Sequence, residues 1–156
     1  MYGSKSNYFY QTEDKLKTSL KKMKLFLYLK DYKTTEQKVY GKAFKFFMNN
    51  PHKFDGATIV KDLYDLKGLD IDAMLHDYHF VNYNVGSSFT WKWKADWLFA
   101  KGNERKGKGL YSAYSRFAGL TIAGVYFVPY TYIMRGKIRE WQKQAFTEDF
   151  NTISRN

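Results

Sequence analysis

The sequence predicts a mainly α-helical protein, and three observations predict it. Apolar residues recur at spacings of three and four along most of the chain, the period of a helix with one buried face. Turn signals such as Asn49-Asn50-Pro51 and Lys67-Gly68 cut that pattern into helix-sized pieces. Cysteine is absent, so no disulfide framework, thiol nucleophile or cysteine-based zinc site can organise the fold. At 156 residues the chain suits one domain, burying about two-thirds of its unfolded surface. The expected organisation is a flexible aromatic arm at 1–11, a single helical domain at 12–150 with its motif core at 55–128, and a tail at 151–156.

The arm is polar and aromatic with no helical period. From Thr12, Leu16, Leu20, Met23 and Leu27 fall on one helical face, with Lys17, Lys21 and Lys24 elsewhere. A second helix is expected from Thr34 or Thr35, with Val39, Ala43 and Phe47 inward, stopping at Asn49-Asn50-Pro51. Asp70 is placed to cap a third helix, in which Ile71, Met74, Leu75 and Tyr78 form the buried stripe and His76 lies away from it. Asn82 to Ser88 reads as a loop. Thr90 then caps a short helix ending at Lys101-Gly102, with Trp93 and Trp97 expected in the core and Lys92 one turn from Asp96. Lys101 to Gly109 reads as a mobile basic loop.

Residues 117–134 carry no charge and are bounded by Arg116 and Arg135. Pro129, Gly119, Gly124 and three tyrosines favour a buried helix of about three turns, ending before Pro129, over a membrane span. Ile138, Trp141 and Ala145 mark the inner side of a last helix, with Glu140 and Lys143 outside and a frayed end from Asn151.

The net charge of +11 is unevenly spread: +7 over residues 1–50, −2 over 51–100 and +6 over 101–156. Basic flanks suit phosphate-bearing partners, nucleic acid or an anionic membrane, and an acidic centre suits a cation or a site histidine. Aromatics make up 20% of the chain, and tyrosine-rich surfaces suit contact with other proteins.

Nearly all residues fit for chemistry fall between Asp55 and Phe99. His76, the adjacent Asp77 and the more distant Asp96 form a candidate His-Asp site, because an imidazole accepts a proton near neutrality and a fixed carboxylate selects its tautomer. Solvated helix residues would show the same letters. His76 and His79 are spaced to share zinc with His52, without a His-Glu-x-x-His pattern. No Gly-x-Ser-x-Gly elbow and no Walker ending are found.

Asp55-Gly56-Ala57-Thr58-Ile59, His76-Asp77-Tyr78 with Phe80, and Ala95-Asp96 with Phe99 resemble the pattern of family 1353 among phage and prophage domains of unknown function. Here Val60 stands for the pattern's proline, Phe80 for a tyrosine and Lys92 for an arginine, and residues 1–50 lie outside the resemblance. The His-Asp pair with a later Asp also resembles the active site of phospholipase A2. That resemblance implies paired central helices, with His76 as base for a water molecule, Asp96 orienting it, and Asp77 binding calcium. The glycine-rich calcium loop is absent, which leaves Asp55 and its turn as the substitute ligands. Two functions follow. One is a phage hydrolase of ester or cell-envelope bonds acting on a lipid or envelope substrate. The other is a non-catalytic virion component, in the tail, near the portal or as cargo, whose partners are virion proteins or further copies of itself. Either places the chain in the virion or the host cytoplasm.

Overall fold

A computed structural model describes residues 32–50, 53, 71–105 and 109–155, apart from the side chains of Ser112 and Arg116. Among these residues there are five α-helices, one short 3-10 turn and no strand, the mainly α-helical class that the periodicity predicts. The expected arm, the helix from Thr12, the Asp55–Thr58 turn and the Asp70 cap lie outside the described residues. The chain divides into two units, Met1–Tyr78 and His79–Asn156, and the division falls inside a helix.

In the first unit α1 spans Thr34–Asn49, within a residue of the predicted ends. Its start is held by the Glu36 carboxylate, which accepts the backbone N–H of Lys33 at 3.2 Å. Its end is held by Asn50, whose side-chain amide donates to the Phe46 carbonyl at 3.0 Å. Val39, Ala43 and Phe47 are buried as the spacing requires, and burying side chains the size of Val39 and Phe47 stabilises by about 1.5–3 kcal/mol each. Helix α2 spans Ile71–Tyr83, and its stripe of Ile71, Met74, Leu75 and Tyr78 is buried, as predicted. Tyr40 on α1 donates its hydroxyl to Asp72 Oδ1 on α2 at 2.6 Å. The Tyr40 ring meets Tyr32 edge-on at 5.3 Å, and Phe46 meets Tyr78 edge-on at 5.5 Å.

In the second unit the expected loop at Asn82–Ser88 is mostly helical. Helix α2 runs to Tyr83, Asn84 takes a left-handed conformation (φ 53°), and Val85–Ser87 form the 3-10 turn. Asparagine tolerates that conformation, so one residue redirects the chain where seven were expected to. Helix α3 spans Phe89–Arg105 and does not stop at Gly102, which is buried inside it. Trp93, expected in the core, is 46% exposed and lies edge-on to Phe117 at 5.6 Å, while Trp97 is half-buried against Phe150.

Helix α4 spans Leu110–Arg135, an unbroken run of 26 residues through Pro129. The expectation of a short buried helix ending before the proline is therefore corrected on both counts. Proline removes the hydrogen bond to the carbonyl four residues back, that of Val125, and Val125 is exposed, so water can satisfy what the helix lost. The helix ends at Gly136 with φ 75°, a conformation that favours glycine. The Gly136 carbonyl accepts the Asn84 side-chain amide at 3.1 Å, tying the two turns together. Helix α5 spans Glu140–Ser154, so the stretch from Asn151 is helical rather than frayed. Its buried face is Phe146, Asp149 and Ile153, while Trp141, expected inward, is 52% exposed.

Candidate functional site

The predicted site residues fall in different settings. His76 and Asp77 are both half-buried on the part of α2 that belongs to the first unit. Asp96 is fully buried on α3 in the second unit. Asp55 lies outside the described residues. Among the described residues no cluster of three or more His, Cys, Asp or Glu is placed to hold a metal.

What Asp96 does within its own unit is clear from its surroundings. Its Oδ2 accepts a hydrogen bond from the ammonium of Lys92, one turn earlier on the same helix, and both side chains are almost completely shielded from water. The same Lys92 Nζ donates to the Leu120 carbonyl on α4 at 2.6 Å. The lysine stem passes close to Gly124, where an added Cβ would sit 3.3 Å from Lys92 Cδ and Cε. A charged group can be buried here because a carboxylate and a carbonyl replace its water shell. Asp96, Lys92 and the Leu120 backbone thus fasten α3 to α4. The sequence shows the spacing of four between Lys92 and Asp96 without showing that the pair is sealed.

A buried His-Asp pair away from the predicted residues escaped the sequence reading. His79 Nε2 lies 3.2 Å from Asp149 Oδ2 on α5, and both side chains are buried. The imidazole stacks on Tyr83 at 5.6 Å and meets the edge of Phe146 at 4.8 Å. An ionised Asp149 would accept from a proton on Nε2. Enclosed in this way, His79 fastens α2 to α5. The partners are 70 positions apart, so no local pattern announces them.

The largest unexplained feature is the outer side of α4. Ala113, Leu120, Gly124, Val128 and Thr131 form its buried stripe. On the other side Ala118, Ile122, Val125, Pro129 and Tyr132 repeat at spacings of four and three, all exposed and joined by Tyr126, Ile133 and Met134. Ile122, Val125 and Ile133 are 72%, 71% and 79% exposed, values that a core helix does not show. By length and composition Ala113–Arg135 is apolar enough to cross a membrane, with a mean hydropathy of 1.4 and only 22% burial over its most apolar stretch. At the other end, Tyr114 donates to Glu104 at 3.0 Å, and burial, then that carboxylate, raise its phenol above the usual range.

Compared with family models, curated proteins and solved structures, the chain finds no match, so its own residues carry the functional reading.

Proposed function

We propose that this chain is a non-catalytic component of a phage particle, which attaches to a larger assembly through the outer side of α4. The exposed apolar stripe of Ala118, Ile122, Val125, Pro129 and Tyr132 carries this reading, because a contiguous apolar face on a folded unit marks a binding surface. The use of Asp96 as a fastening for Lys92 supports it, since that carboxylate has a structural task independent of any reaction. The phage context rests on the resemblance of Asp55–Phe99 to the phage family. Mass spectrometry of purified particles tests the reading: the protein is expected among the particle components, and particles without it would sink the proposal.

One observation favours a second reading, a phospholipase A2-like hydrolase. His76 is half-buried rather than sealed, with Asp77 beside it. In that reading His76 is the base, Asp96 the orienting carboxylate, and Asp77 with Asp55 the calcium ligands. Release assays on phospholipid and peptidoglycan, with and without calcium, separate the two. The non-catalytic reading expects no turnover, whereas calcium-dependent release abolished by His76→Ala would establish the hydrolase.

A further inference from the structure

We infer that the surface to which α4 attaches is an anionic lipid bilayer, with the helix lying along it. This rests on the attachment reading above and names its partner.

The charge pattern selects the partner. Residues 110–135 contain no acidic side chain, and exposed Arg135, Lys137 and Arg139 follow at the C-terminal end. A second copy laid against this face would bring these cations near the cations at its own ends, whereas anionic headgroups complement them. The uncharged run 117–134 is about 27 Å long as a helix. Its apolar stripe is accompanied by exposed Tyr126 and Tyr132, rings that suit the depth where hydrocarbon meets headgroup.

The same structure sets the orientation. Spanning the bilayer would carry the Lys92–Asp96 pair, locked on Leu120 and Gly124, toward the hydrocarbon midplane, where charges are costly. Lying in the interface keeps the buried stripe on its own unit and presents the opposite stripe to lipid. Near the C-terminal end that stripe runs into an open groove of about 660 Å3, lined by Phe89, Trp91, Pro129 and Ile133 together with Lys137 and Lys143. A mainly apolar lining that includes a lysine suits an acyl chain with an anionic headgroup.

The test is co-sedimentation of the full chain with vesicles of phosphatidylcholine alone or mixed with phosphatidylglycerol. Binding is expected to the anionic vesicles, to weaken with added salt, and to fall by about tenfold or more in Lys137→Glu with Arg139→Glu, two charge reversals near the surface. Val125→Glu with Ile133→Glu, both at exposed positions, should abolish it while leaving circular dichroism and the melting midpoint unchanged. Failure to bind anionic vesicles, or equal binding by either variant, overturns the inference. So does a self-associated wild-type chain that the Val125/Ile133 variant dissociates without any vesicle binding. A protein found in particles that ignores vesicles overturns the lipid partner alone. Vesicle binding by a protein absent from particles overturns the particle reading alone.

Discussion

The two units bury an aspartate in opposite ways. In the first, Asp72 on α2 accepts the neutral hydroxyl of Tyr40 on α1 at 2.6 Å. In the second, Asp96 on α3 accepts the ammonium of Lys92, which also reaches the Leu120 carbonyl of α4. Both contacts join two helices and both are buried. They differ in what remains when one partner is removed: a carboxylate short of one hydroxyl in the first case, and a buried charge without its counter-ion in the second. Removing one half of a buried ion pair costs far more than removing a neutral donor, although the intact pair is not itself a large source of stability.

Lys92→Met breaks the second tie while keeping the volume of the stem. It should destabilise by about 3–5 kcal/mol, read as a fall in the urea or thermal midpoint, because Asp96 is left buried without its cation. Adding Asp96→Leu should recover much of that loss, since an apolar pair needs no compensation. A double variant no better than Lys92→Met would mean that the pair stabilises by more than mutual neutralisation. The same substitutions separate fastening from catalysis: if Asp96 only fastens, the double variant regains stability and no activity is at stake.

Tyr40→Phe removes the hydroxyl of the first tie while the ring keeps its edge-on contact with Tyr32. A lost hydrogen bond to a charged acceptor predicts about 1.5–3 kcal/mol, below the Lys92→Met effect. If Tyr40→Phe proved the costlier change, the charge of the donor would not be what separates the two ties.

The sequence made the first unit more legible than the second. Helix α1 could be bounded because Asn50-Pro51 stops it and Val39, Ala43 and Phe47 share one face, and the α2 stripe was equally plain. Helix α4 could not be read, because periodicity needs contrast between faces, and a run without charge from 117 to 134 offers none. Its exposure depends on what the rest of the chain covers, which is a tertiary fact. Gly102 misled for a related reason: a glycine inside a packed helix looks in sequence like one that ends it. At the candidate site the letters His76, Asp77 and Asp96 were visible, as was the Lys92 spacing. The burial of Lys92 was not, and neither was the His79–Asp149 pair, because both are made by packing between distant segments.

An ion pair left in water extends the comparison to its weak end. Lys143 donates to Glu140 Oε1 at 2.7 Å in the first turn of α5, with the glutamate almost wholly exposed. The lysine hydrogen bond, then its charge, hold the Glu140 carboxyl below its ordinary value of 4.5. A carboxyl depressed in the folded state contributes stability that is fully present above the ordinary value and is lost as pH falls through the depressed one. Glu140→Gln should therefore lower the melting midpoint slightly near neutral pH, by less than Tyr40→Phe, and the difference from wild type should vanish in acid. Added salt should shrink it as well, because the pair is open to screening, whereas the Lys92→Met loss should barely respond to salt. A Glu140→Gln effect that persisted in both acid and high salt would show that the residue acts through side-chain packing or helix propensity, and would remove this pair from the electrostatic series.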